Sequence, residues 1–279
     1  MPEDFARGPL AEVDSRLAEI VRAEGVAIGL AIESGSRAWG FPSPDSDYDC
    51  RFLFVRPAEQ YLSPWQRRDV IETPLVDDID LNGWELGKAL RLLLKGNAVV
   101  IEWLMSPIVY DGDSRFKEEL TAFADRWSSR TGVMRHYLHL GERQRRTYFA
   151  DGKDVPIKKL FYALRPAAAL RWLRLRDGEA VAPMHFPTLI RESEPPPEVL
   201  ATADELIRLK AETRELGSGP LPPEIDAFVD REFEAARALL PAQAPRLSAE
   251  ARAEAEDLFR AAVARLSSTP RDGAARMAS

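Results

Sequence analysis

The spacing of apolar residues changes once along the chain, and that change divides it. Leu10, Val13, Leu17, Ile20 and Val21 recur at helical spacing and predict an amphipathic helix over 9–24 that stops near Gly25. Val26 to Glu33 is an apolar run with the length of a buried strand, and 49–55 reads as a second strand. Between them 34–46, broken by Gly35, Gly40, Pro42 and Pro44, reads as a loop. A short helix over 57–62 and strand-like runs at 69–75 and 77–81 follow. After Asn82 the period becomes helical, with helices over 84–95 and 98–105 and a short strand at 108–110. Further helices cover 114–127, 130–149, 157–176, 197–216, 223–239 and 248–266, separated in the later part by proline-rich breaks at 195–197, 220–223 and 241–245. The fold class expected is an α/β (α+β) domain with a mixed sheet over 1–112, then an all-α domain over 113–266. A polar, disordered tail is expected over 267–279.

Composition narrows the class. The 279 residues hold one cysteine, too few for an internal disulfide or a thiolate zinc cluster. The most apolar stretch, Leu90 to Tyr110, is interrupted by Arg91, Lys95, Asn97 and Glu102, so no membrane span and no membrane partner are expected. The first twenty residues are acidic and lack a secretory leader, which points to the cytoplasm. A net charge of −7 argues against indiscriminate coating of nucleic acid. That charge is unevenly spread. Residues 126–176 carry 13 Lys and Arg against 3 Asp and Glu, whereas 191–279 carry 12 against 17. The basic stretch reads as either a solvated arginine-rich helix face or a seat for an anionic ligand.

The informative chemistry lies in 31–55, AIESGSRAWGFPSPDSDYDCRFLFV. Asp47 and Asp49, two apart at a strand start, leave the same face, with Cα atoms about 6.5–7 Å apart. Paired carboxylates so placed suit a hard divalent ion and phosphoryl transfer. Asp80 in DDIDLNG, flanked by Ile79 and Leu81, is the candidate third carboxylate on a neighbouring strand, with Asp78 its competitor. Gly35-Ser36, directly after the first strand, lets backbone approach a ligand and presents a hydroxyl to phosphate. An EF-hand reading of Asp45, Asp47 and Asp49 fails because Cys50 and Arg56 stand where that loop needs Gly and Glu. There is no GxxxxGK[ST] loop and no GxGxxG.

Gly35-Ser36, ten intervening residues and then Asp47-Tyr48-Asp49 resembles the signature of the DNA polymerase β-like nucleotidyltransferase superfamily. The longer string ESGSRAWGFPSPDSDYDCRF, with 78–110 and 157–173, is similar to the RlaP-type nucleotidyltransferases assigned to an RNA-repair pathway. The resemblance implies transfer of NMP from an NTP to a hydroxyl, with loss of pyrophosphate, in a cleft between the two domains. It implies Asp47, Asp49 and Asp80 as catalytic residues and ligands of two Mg2+ ions (Mn2+ the alternative), about 3.5–4 Å apart. Gly35 and Ser36 would hold phosphates, with Arg37 beside them. A basic residue from the helical domain, Lys159 first and Arg165 second, would face the leaving pyrophosphate. The donor site does not separate acceptors; the basic run over 126–176 tips the expectation toward RNA or tRNA. The alternatives are NMP transfer to a protein or small molecule such as an aminoglycoside, a non-catalytic nucleotide-binding regulator, and an interaction scaffold.

Overall fold

Two apolar faces of one sheet organise the chain. A computed structural model describes residues 7–149, 154–213, 217–243 and 247–267. The tail expected over 267–279 thus lies, from 268 on, outside the described residues, as do 214–216 of the helix expected to end there. In chain order, the first half comprises α1 (Arg7–Glu24), β1 (Ala27–Glu33), α2 (Gly35–Trp39), β2 (Tyr48–Val55), α3 (Ala58–Tyr61), β3 (Val70–Glu72), β4 (Ile79–Glu85), α4 (Leu86–Leu94), α5 (Ala98–Leu104) and β5 (Val109–Gly112). The second comprises α6 (Ser114–Trp127), α7 (Arg130–Tyr148), β6 (Val155–Pro156), α8 (Ile157–Leu175), α9 (Phe186–Glu192), α10 (Pro197–Glu212), β7 (Ser218–Gly219), α11 (Pro223–Leu239) and α12 (Ala249–Ser267).

The strands β3-β4-β2-β1-β5 form a mixed sheet in which β2 and β4 are parallel and the other pairs antiparallel. Alternation sorts their side chains to two faces. Tyr48, Cys50, Phe52 and Phe54 of β2, with Ile79 and Leu81 of β4, bury against Val13, Leu17 and Ile20 of α1. Leu53 and Val55, together with Leu30 and Ile32 of β1, bury on the opposite face against the helices. That second core runs unbroken from the sheet through Phe116, Tyr137, Phe161 and Phe186 to Phe228 and Phe233.

Four features differ from expectation. Residues 35–39 form one helical turn, α2, ended by Gly40 in the left-handed conformation (φ 82°), too short to show a period. A second short helix, α9, begins with Pro187 in its first turn in a segment given no element. β4 runs to Glu85, because that carboxylate caps α4 by accepting from the N–H groups of Gly87 and Lys88. Finally, the second half is not wholly helical: Val155–Pro156 pairs with Ser218–Gly219. The last helix, α12, placed by the sequence in the helical half, packs back on β1, β2, α4 and α6.

The charge asymmetry also resolves internally. Arg126 pairs with Glu254, Arg145 with Asp226 and Asp230, and Arg176 with Glu192. Arg171 and Arg174 close on the fully buried Glu232 at 2.9 and 2.8 Å. The basic stretch and the acidic C-terminal region thus neutralise each other across α7, α8 and α11. This corrects the alternatives drawn from charge alone: most of the stretch is neither solvated face nor anion seat. Removing Glu232 leaves two part-buried guanidinium groups unpaired. Glu232→Ala is expected to lower stability by about 3 kcal/mol, read as a drop in the urea midpoint with unchanged slope.

Candidate active site

Register builds the site. On β2, positions 49, 51, 53 and 55 share the face turned toward the helical half; the inner two, Leu53 and Val55, are core, the outer two are Asp49 and Arg51, and Asp47 stands one residue before the strand. Parallel pairing sets Asp49 directly beside Asp80 of β4. Asp78 is the competitor no longer level with them. It sits with Asp77 in a two-residue turn, both at positive φ (52° and 58°), and is exposed.

Asp49 is held from several sides. Its N–H donates to Glu33 Oε1 at 3.0 Å, and its carbonyl accepts from the Ser34 N–H at 2.8 Å. Its carboxylate lies over Gly35, where an added Cβ would come within 2.0 Å of Oδ2. Glycine is therefore needed at 35 for that approach as well as for its φ of 63°. Burial raises the Asp49 pKa, Arg51 opposes this, and the negative charges of Asp80 and Asp47 add to it. Asp49 thus feels both of its acidic neighbours.

Arg51 Nη2 donates to Asp49 Oδ1 at 3.0 Å and to Asp80 Oδ2 at 2.7 Å. Oxygen-only donors suit a magnesium-class ion, and the space over Gly35 leaves the Asp49 carboxylate accessible from the cleft. Asp47 and Asp49 therefore fit such an ion. The full trio does not, as it stands: a guanidinium already lies between Asp49 and Asp80. Among the described residues no group of three His, Cys, Asp or Glu side chains is arranged to hold a metal.

A cleft of about 620 Å3 opens over these residues. Gly35, Ser36, Ser46, Asp47, Asp49 and Arg51 line it from the sheet side, and Lys158, Tyr162 and Lys210 from α8 and α10. Pro156 and Ser218 of the small β6–β7 ladder complete the rim. The Ser36 hydroxyl donates to Ser46 Oγ at 2.9 Å, and Ser46 Oγ accepts from the Ser43 N–H at 2.8 Å, which fastens the loop.

The basic residues expected at phosphate are placed differently. Arg37 does not line the cleft; it donates to the carbonyls of Ser46 and Asp47 and stacks 4.0 Å over the Tyr48 ring, holding the loop. Arg165 is buried, ion-paired with Glu102 at 2.6 Å and stacked on Trp39, and Glu102 also accepts from Tyr137 Oη. Desolvation with a dedicated partner makes it a pin for α8 and Trp39. The ammonium of Lys159 lies 4.8 and 4.6 Å from the Tyr148 and Tyr162 rings, while its neighbour Lys158 reaches the cleft.

Sequence reasoning missed Lys210. From α10 it donates to the Phe41 carbonyl at 2.7 Å and lies 4.7 Å from the Phe41 ring. Burial pushes its pKa down to about 8, Lys158 pushes the same way and Asp45 opposes. A lysine 169 residues from its partner carries no local signal. Glu33 was missed too, although it is the acid of the ESGS string. It is fully buried and accepts from Tyr110 Oη as well as the Asp49 N–H.

A family model described as "RNA repair pathway DNA polymerase beta family" matches residues 11–261. The YcgL protein of Bacillus subtilis (strain 168), named as uncharacterized, is 41% identical over 218 residues, covering 78% of this chain and 83% of its own.

Burial pushes the Glu33 carboxyl up to about 7, against the lowering effect of its two hydrogen bonds. An acid whose pKa rises on folding keeps its proton in the folded state where the unfolded chain has lost it. Stability from this group is thus present below about pH 4.5 and lost as pH climbs to about 7. Relative to Glu33→Gln, the wild type should lose up to about 3 kcal/mol across that window and then level off. Urea melts of both proteins from pH 4.5 to 8.5 check this, and a difference that stays flat would contradict it.

Proposed function

The chain belongs to the RNA repair pathway DNA polymerase beta family, and on that footing we propose that it transfers a nucleoside monophosphate from an NTP to a hydroxyl acceptor. Family membership itself points to nucleotidyltransferase activity. The observation that carries the reading is the single cleft in which Asp47 and Asp49 stand beside the Gly35-Ser36 turn, with Lys158 and Lys210 also in its wall. A bound divalent ion, Mg2+ or Mn2+, would neutralise phosphate charge and polarise the α-phosphate, and Asp47 and Asp49 would hold it.

The chain's own groups supply the rest. The Gly35-Ser36 turn receives the β and γ phosphates through main-chain N–H groups, and the Ser36 hydroxyl turns from Ser46 to donate to them. Lys158 and Lys210 meet the charge that collects on departing pyrophosphate. The acceptor oxygen bonds to the α-phosphorus, the bond from that phosphorus to the bridging oxygen breaks, and Asp80 takes the acceptor's proton. Tyr162 and Trp39 form an aromatic wall of the cleft, and Trp39 is fixed by Arg165.

RNA is the proposed acceptor. The family's RNA-repair description supports it, as do Arg143 and Arg146, exposed on α7 near the end that brings Tyr148 to Lys159. The pairing of most other arginines in 126–176 favours a second reading, a small-molecule or protein acceptor.

With α-labelled NTP, Mg2+ and RNA ends or protein as acceptors, Asp49→Ala and Asp80→Ala should each cut incorporation at least about 100-fold. Asp78→Ala should leave it near wild type. Equal labelling by wild type and Asp49→Ala would sink the assignment.

Lys210→Met should weaken NTP binding by about 10–100-fold, the loss of one charge-assisted hydrogen bond. Since Lys210 binds phosphate as the cation, wild-type NTP affinity should fall as pH rises through about 8. Fluorescent-NTP titrations at pH 7 and 9 test both, and a Lys210→Met protein with the same affinity and pH profile as wild type excludes the role.

A further inference from the structure

Arg51 is the least exposed member of the charged group at the cleft floor: its side chain is 18% exposed, against 29% for Asp49 and 36% for Asp80. Four hydrogen bonds fix it. Nη2 donates to Asp49 Oδ1 at 3.0 Å and Asp80 Oδ2 at 2.7 Å. Nη1 donates to two main-chain carbonyls, Cys50 at 3.0 Å and Asp80 at 3.1 Å. The guanidinium is thus tied to the backbone of both parallel strands and to the carboxylate of each.

We propose that Arg51 is a built-in cation standing between Asp49 and Asp80, where a two-ion centre would seat its acceptor-side metal, so that this site takes one divalent ion, on Asp47 and Asp49. This rests on the nucleotidyl-transfer reading and changes its ion count.

Three features argue for it. For an ion to join Asp49 Oδ1 to Asp80 Oδ2, Arg51 must give up both Nη2 hydrogen bonds, while its two Nη1 bonds to main-chain carbonyls tether the guanidinium where that ion would sit. Arginine does not deprotonate in proteins, so the charge is permanent and independent of metal supply. By contrast no such cation closes the Asp47 side: among the described residues its carboxylate has no ion pair, and it is exposed to the cleft.

Arg51 is then a positioning residue. It relieves the repulsion between Asp49 and Asp80, which lie side by side in register, and holds the Asp80 carboxylate oriented for the acceptor's proton. It supplies one positive charge there where an ion would supply two.

The test counts metal rather than product. The full chain is titrated with Mn2+ at saturating α,β-methylene-ATP, with the free ion followed by electron paramagnetic resonance. Wild type and Arg51→Lys should hold one Mn2+ per chain, with no spin–spin broadening from a close ion pair. Arg51→Gln, checked by circular dichroism, should hold two. Two coupled ions in the wild type overturn the proposal whatever the variants do, and leave the nucleotidyl-transfer reading standing. One ion in a folded Arg51→Gln protein also overturns it. No Mn2+ on any of these proteins overturns the nucleotidyl-transfer reading itself, and the proposal with it.

Discussion

The parallel pairing of β2 with β4 at the centre of the sheet sets where every charged group of the cleft floor stands. Asp49 lies level with Asp80 because Tyr48 is paired with Ile79 and Cys50 with Leu81, and those four are buried together over α1. A slip of one residue would turn Asp80 into that apolar core and bring Ile79 or Leu81 to the site, so burial on one face enforces chemistry on the other. Parallel strands cannot be joined by a tight turn. The chain spends 56–78 on α3 and β3, and β3 then pairs with the far edge of β4.

The same face of β2 passes from carboxylates to core within eight residues. Asp49 and Arg51 stand at its open end, with Asp47 just ahead of it, and Leu53 and Val55 lie under the helices. The helical half is therefore seated on the site's own strand, and small movements of α8 or α10 would be felt at the cleft. Lys210 and Arg165 are the contacts that hold this closure, one to the Phe41 carbonyl and one to the Trp39 ring. Both are charges out of water, costly unless paired, so each specifies one arrangement of the loop after α2.

Electrostatics in this protein are mostly internal. The arginines of α7 and α8 meet the acids of α11, Arg126 of α6 meets Glu254 of α12, and Glu232 takes two of the α8 arginines in full burial. What remains inside the cleft for a phosphate is small and local, Lys158, Lys210 and the Gly35-Ser36 turn, with Arg143 and Arg146 exposed outside it on α7. Of these lysines Lys210 is buried, and a charge out of water discriminates more sharply than a broad basic face, because left unpaired it has little water to fall back on.

Local pattern carried the sheet, most helices and the roster of Gly35, Ser36, Asp47, Asp49 and Asp80, because strand alternation and turn chemistry are properties of neighbours in the chain. α2 and α9 escaped for the matching reason, being too short to display a period. Which lysine faces the cleft, that Arg37 and Arg165 are spent on structure, that Lys210 joins from α10, and that Arg51 bridges two strands were decided only by packing. The most distant of these partners, Phe41 for Lys210, lies 169 residues away. Sequence counts a charge wherever it stands. Only the folded chain shows whether another part of the molecule has already neutralised it.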